Sequence, residues 1–466
     1  MQEIGIILSL FLLMFFAYRG FSVILFAPVF ALLAASMSGL PLMPAYTELF
    51  MAKGVTYIKS YFPIFLLGAV FGKTMEDTGL AKGISRAIIR SLGKDRAILS
   101  VVLAGAVLTY GGVSLFVVVF AVYPFAAALF READIPKRLV PGSVALGAFT
   151  FTMDSFPGTP QIQNIIPTNY FGTTIYAAPI SGILGGLTIL ILGVSWMEHR
   201  RRAAAAAGEG YGKHTLNEPE AEQSTTDLPA WYIGALPLLA VLVVNFFLNN
   251  MFTWNPATLQ PFQAMNLPLV APAVKNVISS WSLIIALVIG ILLTILLGWS
   301  RLPGGGLAKS LNAGAIGSLL AIMNTASEVG YGNVIASLPG FKAISGALMS
   351  IKIGGSPLVS EAVTVNVLAG VTGSASGGLS IALDLLAKDW LTWANTIGMS
   401  PQILHRVASM ASGGMDTLPH NGAVITLLAV CGMTHRDSYG DIFAMTVIKT
   451  STVFLVILFH SITGLL

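Results

Sequence analysis

Charge is scarce in this chain. Asp, Glu, Lys and Arg together make up 10% of its 466 residues, where a soluble domain carries about 25%. With 55% hydrophobic residues, that deficit excludes a soluble globular core and leaves a polytopic membrane protein. Cysteine is nearly absent: Cys431 stands alone, so an intrachain disulfide is excluded. No Cys/His spacing resembles a structural metal site, and neither a metal nor another cofactor is expected. The net charge is only +4, and no basic run alternates with aromatics, which argues against a nucleic-acid partner. No basic segment precedes the first apolar run, so Ile4–Phe16 reads as a retained membrane helix and not as a cleaved leader.

Long apolar runs are what the chain has instead. A bilayer span needs about 20 such residues. Runs at 4–17, 21–38 and 61–75 are read as spans, the last after a mixed stretch at 39–60. The segment 81–96 carries Lys82, Arg86, Arg90, Lys94 and Arg96 at helical spacing, a basic amphipathic face. The run 97–130 breaks at Gly111-Gly112 and reads either as two full spans or as a re-entrant hairpin with a polar tip; the hairpin is preferred because its tip recurs. A span at 174–196 ends in Glu198-His199-Arg200-Arg201-Arg202, and 203–227 reads as a flexible linker. Downstream, 229–248, 281–299 and 308–328 are spans, the third ending near Gly330-Tyr331-Gly332. A second broken run covers 357–386, and the final span is 442–465.

The tightest local signal is a repeat. Met153-Asp154-Ser155-Phe156-Pro157 returns 262 residues later as Met415-Asp416-Thr417-Leu418-Pro419, and Gly111-Gly112-Val113-Ser114 returns at the same offset as Gly373-Ser374-Ala375-Ser376. Pro and Gly break helices, and broken backbone is tolerated in a bilayer only where protein buries it or water reaches it. A repeated, polar, helix-breaking segment at membrane depth points to a transporter's binding site.

The expected fold is therefore an all-α polytopic membrane protein of two inverted-topology repeats, each with five crossings and one re-entrant hairpin, and with broken helices at the midplane. Residues 1–197 form the first repeat (scaffold 1–75, hairpin and broken helix 97–170), 198–228 a cytoplasmic linker, and 229–466 the second (scaffold 229–330, hairpin and broken helix 357–432). With both termini outside, 18 of the 25 Lys and Arg fall on the cytoplasmic side and 7 on the far side, as the positive-inside rule requires.

Candidate substrate-binding residues are Thr109, Gly111, Gly112, Ser114, Ser155, Thr159, Gln161, Thr372, Gly373, Ser374, Ser376, Thr417 and Asn421. Small tip residues let backbone N–H groups and half-helix N-termini face a ligand. No Lys or Arg lies within these tips or breaks, so the dipoles alone would attract a small organic anion; the plainer alternative is close helix packing. Asp154 and Asp416 are candidates for helix caps, for proton carriers or for oxygen ligands to Na⁺. His420 is either a proton carrier, having an ordinary pKa near neutrality, or a plain hydrogen-bonding residue. Glu328 and Glu361 are second-rank proton candidates. Asn324, Tyr331 and Asn333 either bind substrate hydroxyls or join helices.

From Gly68 to Gly158 the chain carries Gly72-Lys73-x3-Asp77-x-Gly79, the Gly111-Gly112 break and the Pro136–Pro141 helix entry. In these it resembles the gluconate permease (GntP) family of secondary transporters. The resemblance implies a dimerising scaffold and an elevator-type transport domain of hairpins and broken helices, in a homodimer of the bacterial inner (plasma) membrane. Gluconate permeases carry a His- and Pro-rich segment where this chain reads Asp154–Pro160, which is more similar to relatives that handle short hydroxyacids such as 3-hydroxybutyrate. The expected function is proton-coupled symport of a small hydroxylated monocarboxylate, with Na⁺-coupled carboxylate symport as the alternative. A passive channel suits repeated broken helices poorly. An intramembrane aspartyl protease is a remote third reading, and the chain lacks that family's Gly-x-Gly-Asp signature.

Overall fold

The computed structural model describes residues 2–19, 21–113, 115–218, 228–302, 306–351, 353–419 and 421–466. Among the described residues every regular element is helical. The first half contains α1 (Gln2–Tyr18), α2 (Val23–Met37), α3 (Leu42–Asp77), α4 (Leu80–Leu92), α5 (Ala97–Tyr110), α6 (Leu115–Glu132), α7 (Val140–Ala148), a single turn α8 (Phe151–Asp154), α9 (Ile162–Phe171) and α10 (Pro179–Ala206). The second contains α11 (Trp231–Asn250), α12 (Ile278–Gly298), α13 (Gly306–Ser337), α14 (Phe341–Met349), α15 (Leu358–Thr372), α16 (Ala375–Thr396), α17 (Pro401–Ser412), α18 (Gly422–Cys431) and α19 (His435–Thr463).

Six of these, α3, α10, α11, α12, α13 and α19, are long and apolar enough to cross a membrane. Large apolar side chains face outward along them, including Ile183, Leu187 and Ile191 on α10, Leu292 and Leu296 on α12, and Leu455 and Leu458 on α19. Water would disfavour that surface and lipid does not. The chain is a multi-pass membrane protein.

Three boundaries differ from the sequence reading. Helix α3 starts at Leu42, through a π-helical turn at Ala45–Met51, so the mixed stretch 39–60 is mostly helix. Its polar residues misled because Thr47, Thr56 and Ser60 return their hydroxyls to carbonyls four residues back, which hides them from lipid. Helix α13 runs through Gly330-Tyr331-Gly332 to Ser337, because those glycines are close-packing positions: a Cβ on Gly330 would meet the Phe50 carbonyl. The linker is not free chain in its described part. Helix α10 continues to Ala206, and beyond it Tyr211 is buried, Glu218 pairs with Lys137 (2.8 Å) and Arg131, and the Tyr123 hydroxyl donates to the Asn217 carbonyl (2.7 Å).

The hairpins and breaks form where glycine, proline and capping side chains coincide. Helix α5 ends at Gly111-Gly112, the second at φ +93°, and α15 ends at Gly373 in the left-handed region. Both α9 and α18 are 10 residues long and both close on a left-handed glycine, Gly172 and Gly432, as helix C-termini commonly do. The halves interlock: α9 packs against α16 and α17, while α18 packs against α6 and α7. A separate apolar cluster joins α1, α2 and the C-terminal part of α13.

Candidate functional site

Both breaks converge on one lysine that no motif contains. Lys449, midway along α19, lies 3.0 Å from Asp154 and 3.5 Å from Asp416 and donates to the Phe149 carbonyl (2.8 Å). Its ammonium is fully enclosed. The backbone of Gly413 makes the room: a Cβ there would overlap Asp154 Oδ2 and Lys449 Nζ.

The first break is closed on itself. Ser155 Oγ donates to Asp154 Oδ1 (2.7 Å), Thr159 Oγ1 to the Thr152 carbonyl (2.6 Å), and Asn164 Nδ2 to the carbonyls of Thr159 (3.0 Å) and Ile175 (2.8 Å). Arg406 of α17, fully buried, donates to the carbonyls of Ala177 (2.7 Å) and Ser155 (2.9 Å) and to Asn164 Oδ1 (3.1 Å). Unwound backbone leaves carbonyls without helical partners, and this guanidinium, with five donors in a fork, collects them.

The second break borders a cavity of about 450 Å³, which lies within the usual range for small-molecule sites. Its wall includes Asn324, Thr325 and Glu328 of α13, Thr372–Ser376 at the second hairpin tip, Asp416, and Asn421–Ala423 at the start of α18. The first turns of α16 and α18 therefore both border it. Asn421 caps α18 by accepting from the N–H groups of Ala423 (2.7 Å) and Val424 (3.4 Å), and its Nδ2 donates to the Gly373 carbonyl (2.7 Å), tying break to hairpin tip. Gln161, at the start of α9, makes the matching tie to the Thr109 carbonyl (2.8 Å) in the first half. A smaller neighbouring cavity of about 160 Å³ is lined by Gly112 and Gln161 and shares Phe65, Leu115, Gln163 and Ala321 with the first.

The candidate residues thus divide. Thr372, Gly373, Ser374, Ser376, Asn421, Asp416 and Glu328 meet at the main cavity; Gly112 and Gln161 line the smaller one. Thr109, Gly111, Ser155, Thr159 and Thr417 border neither. Ser155 and Thr159 are spent on the hydrogen bonds above, Thr417 pairs with Thr446 (2.5 Å), and Gly111 packs against Leu238. Asp154 and Glu361 are both fully buried and border neither cavity. Ser114 and His420 lie outside the described residues. Asn324 reaches the cavity, whereas Tyr331 and Asn333 join helices through Ser9 (2.9 Å) and the Leu49 carbonyl (2.7 Å).

Attraction by dipoles alone needs correction, because positive charge reaches both breaks from neighbouring helices. Counting Arg406 and Lys449 by loop sidedness placed them on opposite sides, but both are interior. Lys449 sits in a late apolar run and Arg406 beside a predicted break; a lone cation in either place was the available signal.

The sequence profile of GntP family permeases matches residues 1–323. The chain belongs to the GntP permease family. Over its full length and that of the relative, this permease is 50% identical to the uncharacterized transporter YxjC of Bacillus subtilis. It is also 28% identical to the high-affinity gluconate transporter of Escherichia coli, over 47% of this chain and 48% of that one. In fold it is similar to the YdaH transporter of Alcanivorax borkumensis, with a TM-score of 0.53 at 15% identity, covering 87% of this chain and 85% of the other. These relatives are transporters, so this permease is a transporter and not an enzyme. The protease reading also fails on geometry, since an aspartyl dyad shares a proton between adjacent carboxyls and here an ammonium contacts both.

Proposed function

We propose that this permease is a proton-coupled symporter of a small hydroxylated monocarboxylate, of 3-hydroxybutyrate or gluconate size, in the bacterial inner membrane. The observation that carries the reading is the main cavity: two helix N-termini, which favour an anion, share its wall with two carboxyls, Asp416 and Glu328. An anion entering beside ionised carboxylates is repelled and beside protonated ones is not. Anion and proton therefore favour each other's binding, and linkage makes the effect reciprocal. The Asn324 amide and the Ser374 hydroxyl suit substrate hydroxyls.

The matched lengths of α9 and α18 and the matched ties from Gln161 and Asn421 support two related halves. In this reading the halves are inverted in the membrane, both termini lie outside, and the linker is cytoplasmic. The scaffold dimerises through α1–α3 and α11–α13, and the hairpins and breaks travel past α13 as an elevator.

The deciding experiment is uptake of labelled 3-hydroxybutyrate and gluconate into proteoliposomes, with proton and Na⁺ gradients imposed separately. Accumulation is expected only with the proton gradient. Accumulation driven by Na⁺ alone overturns the coupling, and transport of neither acid overturns the substrate class.

A further inference from the structure

Asp154 and Asp416 hold the same place in the repeated motif, yet their surroundings differ. Asp154 is entirely enclosed: Ser155 donates to one oxygen at 2.7 Å, Lys449 lies 3.0 Å from the other, and Gly413 closes over the pair. Asp416 is 3.5 Å from the same ammonium, is 7% exposed, and is the one that borders the main cavity. We propose that the two aspartates have divided the work: Asp154 and Lys449 form a permanent ion pair, and Asp416 alone of the two exchanges its proton with the cavity.

The contacts of Lys449 decide which carboxylate can release it. One of its N–H bonds donates to the Phe149 carbonyl (2.8 Å), and Asp154 and Asp416 are its two counter-ions. With Asp416 protonated, Lys449 keeps its shorter ion pair and its carbonyl. With Asp154 protonated, it keeps the carbonyl and the longer pair, and a buried cation stripped of its close counter-ion is strongly disfavoured. Two ionised aspartates give the cluster a net charge of −1; protonating Asp416 neutralises it without unpairing any buried charge.

The charged groups around Asp416 fit this assignment. Lys449 comes from α19 and Asp154 from the first break, with Arg406 of α17 behind it. Glu328 of α13 borders the same cavity. On α17, His405 turns instead to Thr173 (2.6 Å) and Asn164 (3.1 Å). The second hairpin brings Ser374, uncharged, to that cavity; its Glu361 lies about three turns before the tip. His420 lies outside the described residues.

The assignment rests on proton coupling but is tested apart from it. Full-length protein in lipid vesicles is treated with dicyclohexylcarbodiimide, which modifies protonated, membrane-accessible carboxyls, and adducts are mapped by peptide mass spectrometry across a pH series. Adduct on Asp416 is expected to form about tenfold faster than on Asp154, because Asp416 borders the cavity whereas Asp154 is enclosed and has the closer cation. The Asp416 yield is expected to rise as pH falls and to drop with added 3-hydroxybutyrate or gluconate. Equal or faster modification of Asp154 overturns the proposal.

Paired variants give a second reading. D154N/K449M removes the permanent pair and spares Asp416, so it is expected to retain uptake that responds to the proton gradient. D416N/K449M is expected to lose that response. The reverse order, or equal behaviour of two folded double variants, overturns the proposal; should either fail to fold, the labelling of the unaltered protein decides. If uptake proves to be Na⁺-driven while labelling still singles out Asp416, the coupling ion under Proposed function is wrong and the division between the aspartates stands.

Discussion

The two breaks carry one motif and have been built for opposite ends. In the first, Asp154, Ser155, Thr159 and Asn164 are enclosed and bonded inward, and Arg406 clamps the unwound backbone. In the second, Asp416, Asn421 and the start of α18 border an open cavity. One copy is closed by protein and the other faces the cavity. A motif that occurs twice in the chain therefore need not be used in the same way at both places.

The sharpest way to break the comparison is to unclamp the first copy. Arg406→Met strands the carbonyls of Ala177 and Ser155 and is expected to cost about 3–5 kcal/mol, the scale for removing one partner of a buried charged cluster. The readout is thermal unfolding and monodispersity of the purified permease in detergent, and unchanged melting would refute the clamp.

Next comes a pair of glycines flanking the second break. Gly413→Ala drives a methyl into the Asp154–Lys449 pair, whereas Gly422→Ala meets nothing within 4 Å. The first is expected to lower stability by about 1–3 kcal/mol, as overpacking does. The second is expected to stay within about 1 kcal/mol. Matched melting curves for the two variants would remove Gly413 from the account.

A subtler contrast lies in the ties to the hairpin tips. Asn421→Ala loses a helix cap as well as a tie and is expected to cost about 1–2 kcal/mol. Gln161→Ala loses a short hydrogen bond to the Thr109 carbonyl and a long one to that of Val113 (3.5 Å) and is expected to cost about 0.5–1.5 kcal/mol. Only the former should weaken binding of 3-hydroxybutyrate or gluconate, as followed by thermal shift; an equal effect of both on ligand binding would blur the two roles.

How far the sequence exposed this arrangement follows from what each feature writes into it. Apolar runs, glycines and prolines write the helices and their breaks directly, so α17, α18 and the tip at Gly373 lie where residue type puts them. The cavity wall was legible at Asp416, Gly373, Ser374 and Asn421, since polarity in an apolar run demands a reason. What was not legible is partnership across the fold. Ser155 and Thr159 have the same polarity as true lining residues, and only their internal acceptors show that they are taken. Lys449 and Arg406 were read by position along the chain, a rule for loops that says nothing about a cation turned inward. The docked linker was hidden because Tyr211, Asn217 and Glu218 make no periodic pattern; their partners lie on other segments.

The smallest expected effect concerns that linker. Burial alone would push Glu218 up, but hydrogen bonds from Lys137, Tyr211 and Arg131 outweigh it and hold the carboxyl below the ordinary glutamate range. Its contribution to docking is therefore present above the ordinary value of about 4.5 and lost as pH falls through the depressed one. Limited proteolysis near Glu218 is expected to quicken only under strongly acidic conditions, and in Glu218→Gln at neutral pH. Protease resistance independent of both would assign the docking to Tyr211 and Asn217.

The interleaving of the halves sets an order on biosynthesis. The first break leaves the ribosome with its carbonyls unanswered and Asp154 unpaired, and the donors that complete it, Arg406, Ser409 and Lys449, are translated more than two hundred residues later. Until then the N-terminal half is an unfinished object in the membrane. Its quality control hangs on the last helix, so truncations upstream of α19 should be cleared by membrane proteases rather than accumulate as half-proteins.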